Sequence, residues 1–282
     1  MQTTGIFRTH RVEIPVTSTN RPVVLYPFGD SHFGAPLHAT DAFDSWLATV
    51  KRDKGAWFLG MGDLVELTST SERSMLGAMG LHDSTREMLD DMYGALVRNF
   101  AKKLDFMKGR VIGLLEGNHY FEHMDGTTST QRLCQALGCP YLGVSAFVRL
   151  ILNYHGCQTP VDIWAHHGRG AARLIGGSLN RVQQMGEAAQ ADIYLMGHDH
   201  KKSVGMTSKL VLSHDMRLCE RKQVYCRTGS FLKGYEDGKS SYVADAAYAP
   251  SDLGTVRIEI AIKRPGKFEG PRHLVADIRA AI

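Results

Sequence analysis

Short apolar runs recur along the chain, separated by stretches in which apolar residues return every three or four positions. The runs Val23–Phe28, 56–59, 111–115, 161–165 and Ile193–Met196 have the length and continuity of buried strands. Residues 40–52 place Phe43, Trp46, Leu47 and Val50 on one helical face. A longer helix is predicted over about 84–108, where Met88, Met92, Leu96, Phe100 and Leu104 are spaced four apart. Shorter helices are expected over 130–137, stopped by Gly138, and over 178–190, with Leu179, Val182, Met185 and Ala189 inward. Alternation at 12–16 predicts an edge strand, a place that suits Pro15. Further strands are expected at 144–152 and, beyond His200, at 209–213, 223–228 and 255–262.

The order strand, helix, strand predicts parallel pairing through a right-handed crossover, and the fold class is α/β. Residues 68–81, rich in Ser, Thr, Gly and Met, read as a surface excursion. With the helix that follows, they make an insertion at about 68–108 that could form a lid or the side wall of a cleft. Residues 236–251 are polar and small, hence irregular, and the basic tail 263–282 is expected to cross the surface into a short C-terminal helix. No repeat or linker divides the 282 residues, so one domain is expected, with its core at about 20–262.

A core of this size needs no disulfides. The five cysteines (Cys134, Cys139, Cys157, Cys219, Cys226) form no C-x-x-C and read as reduced thiols. The chain shows no cationic-then-apolar leader and no apolar run near the ~18 residues of a membrane span. A soluble, cytoplasmic protein without a membrane partner is therefore expected. The net charge of +4 permits an anionic substrate but does not by itself argue for nucleic acid.

The chemistry gathers where the apolar runs end. Asp30-Ser31-His32 follows the first, Gly62-Asp63 the second, Gly117-Asn118-His119 the third, His166-His167-Gly168 the fourth and Gly197-His198-Asp199-His200 the last. Sites in open α/β sheets form at the carboxyl ends of strands, so these tips can converge. Asp30 and His32, two apart in extended chain, point the same way. Asn118 and His119, being adjacent, face differently, which suits an amide ligand beside a histidine that meets substrate. Two Asp, one Asn, four His and no Cys suit Mn²⁺, Fe or Zn²⁺ better than Mg²⁺ or Ca²⁺. The donors exceed one tetrahedral ion's need, so two ions are implied, bridged by a shared carboxylate.

These motifs resemble, in order, the hallmark series of the calcineurin-like metallophosphoesterase superfamily: D-x-H, G-D-x-x-[DE], G-N-H-[DE], H-x-[GP] and G-H-x-H. The matches span Asp30 to His200. The resemblance implies a four-layered α/β/β/α sandwich with two divalent metal ions, Mn²⁺ foremost. Asp30, His32, Asp63 and His200 would hold one ion, and Asp63, Asn118, His166 and His198 the other. His167 is the alternative to His166. His119 would protonate the leaving oxygen while metal-activated hydroxide attacks phosphorus. Tyr120 stands where the family has an acid that orients this histidine; Glu122 is the substitute considered. Substrate contacts are sought among Arg169, Lys201, Lys202 and Arg227. The expected activity is phosphoester hydrolysis, with a phosphodiesterase, a nuclease acting on DNA or RNA among them, ahead of a phosphomonoesterase. A non-catalytic scaffold is disfavoured because every motif position is filled.

Overall fold

Two mixed β-sheets carry the chain. The computed structural model describes residues 7–170, 172–212, 216, 218–263 and 274–282. The elements run β1 (Arg8–Pro15), β2 (Val23–Phe28), α1 (Thr40–Arg52), β3 (Ala56–Gly60), α2 (Thr70–Ala78), α3 (Asp83–Lys103), a single 3₁₀ turn (Asp105–Met107), β4 (Val111–Leu114), α4 (Ser129–Leu137), β5 (Ser145–Tyr154) and β6 (Cys157–His166). They continue with α5 (Ile175–Ala188), β7 (Ile193–Met196), β8 (Lys202–Leu212), β9 (Leu218–Thr228), α6 (Tyr242–Asp245), β10 (Arg257–Lys263) and β11 (Val275–Ala281).

The first sheet has the order β1-β5-β6-β7-β9-β8 and the second β11-β10-β2-β3-β4. Within them β2, β3 and β4 are parallel, as are β6, β7 and β9. Both trios therefore end on the edge that carries the motifs. The sheets pack face to face through Leu25, Leu59, Ile112, Val148, Ile163, Leu195, Val224 and Ile260, all buried. On the outer face of the five-stranded sheet, Phe43, Val50, Val97, Phe100, Leu133 and Leu137 bring in α1, α3 and α4. On the outer face of the other, Val182 and Met185 of α5 pack against Trp164, Tyr194 and Tyr225. The result is an α/β sandwich of two sheets flanked by helices.

Most predicted elements lie where periodicity places them. Gly138 ends α4 in the left-handed conformation (φ 66°), and β1 with Pro15 is an edge strand. The strand expected at 209–213 begins already at Lys202, and the stretch 236–251, expected to be irregular, contains the short α6. Three further segments differ. Residues 70–78 form a helix, not an irregular excursion: Ser69 and Glu72 make a reciprocal capping box. No residue of α2 is buried, so it left no apolar stripe to read. The helix predicted to 108 stops at Lys103; a 3₁₀ turn follows, and Met107 still reaches the core. The C-terminal helix is absent among the described residues. Residues 275–281 form β11, which pairs with β10 and buries Ile278 between the sheets, so pairing overrides the helix preference of its alanines. The basic stretch 264–273 lies outside the described residues.

Candidate metal centre

Each motif sits in a turn just beyond a strand of one of the parallel trios, and the turns have unusual backbone. Among the described residues, eight non-glycine positions have positive φ. Five of these are Asp30 (46°), His32 (44°), Asp63 (45°), His198 (73°) and His200 (58°). Such conformations cost roughly 1–3 kcal/mol each and persist only where the surroundings over-determine them. Here carboxylates and backbone lock the turns together. Asp30 Oδ2 accepts from the His198 N–H at 2.8 Å, and Asp63 Oδ1 from the His119 N–H at 2.9 Å. The glycines permit this approach. A Cβ on Gly117 would stand 2.0 Å from Asp63 Oδ1, and one on Gly197 2.8 Å from Asp30 Oδ2.

The free ends of these side chains form two groups, Asp30/His32/His200 and Asp63/His167/His198, and a third, His32/Glu66/His119, shares His32 with the first. In the first, His32 Nε2 and His200 Nε2 lie 3.2 Å apart, with Asp30 Oδ1 at 3.7 Å from His200. In the second, His167 Nε2 lies 3.3 Å from both Asp63 Oδ2 and His198 Nδ1, and 3.1 Å from Asn118 Oδ1. The fit to cations can be judged from the donors themselves. Asp30 Oδ1 is buried without a hydrogen-bond partner, a costly state for an isolated carboxylate. Two pairs of imidazole nitrogens face each other at contact distance, an arrangement that a proton or metal ion relieves.

The charges follow from this crowding. Burial raises the Asp30 carboxyl to about 7 despite cationic His167 nearby. Burial also opposes ionisation of Asp63, but His167, with His32 and His119 adding to it, holds its pKa well below the carboxylate range. His167 is pushed up to about 9, because Asp63 and Asp30 outweigh burial. His200 falls to about 3, chiefly through burial and then the charge of His32.

Asp30, His32, Asp63, Asn118, His198 and His200 are thus brought together as the motifs predict, but His166 is not. Its Nδ1 accepts from the Gly168 N–H at 2.7 Å, and His167 takes the predicted place. Strand parity explains the correction. Along β6, Ile163 and Ala165 face the core between the sheets, and Trp164 faces α5. His167 continues the first set and His166 the second.

The carboxylate that meets His119 is Glu66. Its Oε1 accepts from His119 Nδ1 at 2.7 Å, and its Oε2 bonds His32 Nδ1. These bonds outweigh burial and hold Glu66 at about 2. Glu122, the expected substitute, is exposed and bridges to Thr128 instead. Glu66 was visible as the last letter of G-D-x-x-[DE]. Tyr120 has another use: its ring lies 3.9 Å under the Arg73 guanidinium. Arg73, on α2, also donates to the carbonyls of Thr68, Asn118 (3.0 Å) and Tyr120 (2.8 Å). Nothing in the sequence marked it.

The predicted substrate contacts fare differently. Arg227 is buried, donating to Ser178 O at 3.0 Å and Gly197 O at 2.9 Å, with Asp199 Oδ2 at 3.4 Å. It braces the ligand loop and is not free to meet a substrate. Lys202 is engaged by Asp252 and the Leu253 carbonyl. Arg169 is exposed, and its carbonyl accepts from Arg181. Lys201 is half-buried beside His200, its N–H donating to Asp199. No helix among the described residues is long and apolar enough to cross a membrane. In comparisons with known proteins, no family model matches the chain and no curated protein matches it, so the reading of this centre rests on its own geometry.

Proposed function

We propose that the chain is a dinuclear metal-dependent phosphoesterase with the α/β/β/α sandwich of the calcineurin-like type, acting by preference on phosphodiesters. The observation that carries this reading is the convergence of seven donors into two groups beside a histidine–carboxylate pair. Asp30, His32, Asp63 and His200 would hold one ion, and Asp63, Asn118, His167 and His198 the other. Imidazole and carboxylate donors without thiolate favour Mn²⁺, with Fe or Zn²⁺ also suited. When bound, the ions would neutralise phosphate oxygens and make a water nucleophilic near neutral pH.

The chain's own contribution is proton delivery and placement. Glu66 occupies His119 Nδ1, which leaves Nε2 to donate to the leaving oxygen. Asp63 fixes the His119 backbone through its N–H, so donor and ligand are placed by one carboxylate. Preference for a diester rests on charge. Arg227 and Lys202 are occupied by protein partners, leaving few cations to meet the second negative charge of a monoester.

The test is hydrolysis of bis- and mono-p-nitrophenyl phosphate by metal-stripped protein with Mn²⁺ restored. Diester turnover above monoester is expected, lost with chelator. His119→Ala should lower turnover by about 10²–10⁴-fold with metal content unchanged. Absence of turnover on both esters with Mn²⁺, Fe²⁺ and Zn²⁺ would refute the assignment. Single-stranded and duplex DNA and RNA then ask whether the diester is a nucleic acid.

A further inference from the structure

Among the described residues, β8 forms an edge of the six-stranded sheet, hydrogen-bonded to β9 on one side only. Natural edge strands are blunted by proline, charge, bulges or shortness. β8 has eleven residues, no proline and an unbroken register with β9. Its one mid-strand charge, Lys209, is turned toward α5 and donates to the Gly186 carbonyl at 3.1 Å.

The alternation along β8 gives its two faces different characters. Val204 and Met206 lie opposite Cys226 and Val224, which are buried between the sheets. The even-numbered positions therefore continue the inter-sheet face. Beyond the cover of the second sheet they remain apolar and exposed: Met206 is 56%, Leu210 71% and Leu212 59% exposed, with Leu218 of β9 beside Leu212 at 68%. On the other face Gly205 meets Leu179 of α5.

This stripe is symmetric. Reading along one face, the residues are Val204, Met206, Ser208, Leu210 and Leu212, two apolar positions on each side of a serine. An antiparallel strand with the same pattern complements it only when the serines face each other. We propose that β8 pairs with β8 of a second copy of this chain, antiparallel about a two-fold axis at Ser208. The two six-stranded sheets then join into one. Met206 lies opposite Leu210 of the partner subunit, and Val204 opposite Leu212 of the partner subunit. Lys209 lies opposite Thr207 of the partner subunit, so no like charges meet. A shift of two residues either way sets Ser208 against Met206 or Leu210 and loses apolar pairs. Residues 204–212 give a shared edge of about 30 Å at about 3.4 Å per residue. That contact falls at the low end of specific interfaces, about 1,200 Å² in total, so the dimer is reversible and grows with concentration. Because parallel strands on the two copies then run in opposite directions, the two metal centres open on opposite edges of the joined sheet.

Sedimentation equilibrium of the full chain tests this without reference to turnover, so it stands apart from the phosphoesterase reading. The wild-type mass should rise toward twice that of one chain with increasing concentration. Ser208→Asp and Ser208→Lys each place like charges across the axis and should remain monomeric where the wild type dimerises. An equimolar mixture of the two should recover the dimer, which also shows that both variants fold. A wild type that stays monomeric up to about 200 μM, a dimer that persists in both single variants, or a mixture of normally melting variants that stays monomeric would each overturn the proposal.

Discussion

The loop at 197–200 reaches the candidate metal centre from inside the molecule, whereas α2 reaches it from the surface. The loop is held by groups out of water: Arg227 donates to Gly197 O and pairs with Asp199, and Asp199 bonds the Ser178 hydroxyl of α5. Helix α2 buries none of its residues and touches the centre through Arg73, which grips the carbonyls of the Asn118–Tyr120 turn. Met75 on α2 and Met79 at its C-terminal end are 63% and 65% exposed. The difference separates two tasks. Left-handed turns need a rigid, dehydrated brace, and the neighbouring turn that carries His119 can be steadied from outside.

Substitutions can break this contrast or sharpen it. The largest effect is expected at the centre that both regions serve. Asp63→Ala removes a carboxylate shared by the second donor group and the His119 turn, and should abolish both metal occupancy and turnover; full occupancy by elemental analysis would contradict the bridging role. Next comes the inner brace. Arg227→Met leaves Asp199 buried without its cation and should cost about 3–5 kcal/mol in urea unfolding, with the 197–200 loop losing its ligand geometry. A loss below about 1 kcal/mol would mean the loop does not depend on that brace.

Proton linkage reports on the same side of the comparison. His167, pushed up to about 9, and Asp30, raised to about 7, hold protons that an incoming cation must displace. Metal affinity should therefore rise with pH, by about tenfold per unit between about pH 7 and 9, where His167 still holds its proton, and more steeply below about 7, where Asp30 also holds one. Titration calorimetry in buffers of different ionisation enthalpy would count those protons; affinity flat over this range would exclude His167 as a ligand. The smallest effect on stability belongs to the outer region. Arg73→Ala should change unfolding by less than about 1 kcal/mol, since it sits outside the core. It should nevertheless lower kcat by about ten- to a hundredfold through misplacement of His119, with metal content retained. Equal losses in stability from Arg73→Ala and Arg227→Met would erase the distinction drawn here.

Legibility in the sequence followed the same division. Strands β2, β3, β4 and β7 and helices α1 and α4 could be read because each buries a continuous run or a full stripe. Helix α2 could not, because a helix without a buried face has no periodicity, and only its capping box gave a local signal. The side chains that gather in the candidate centre were legible because they follow apolar runs at fixed short spacings. His166 and His167 were not separable, since adjacent residues point to opposite faces and the chain alone does not say which face looks inward. Arg227 illustrates the same limit: a cation at the next-to-last position of a strand reads as a substrate contact until α5 and the 197–200 loop close over it.

The sequence by itself determined the strand–turn rhythm and pointed to six of the seven side chains that converge, and to the histidine beside them, because those depend on neighbours within a few residues. Only the tertiary structure decided that His167 enters the centre, that Glu66 orients His119 from 53 positions away, that Arg227 is a brace and that the C-terminal residues form a strand. Each of these is set by which surfaces meet when two sheets pack, and packing joins residues whose separation along the chain carries no local signature.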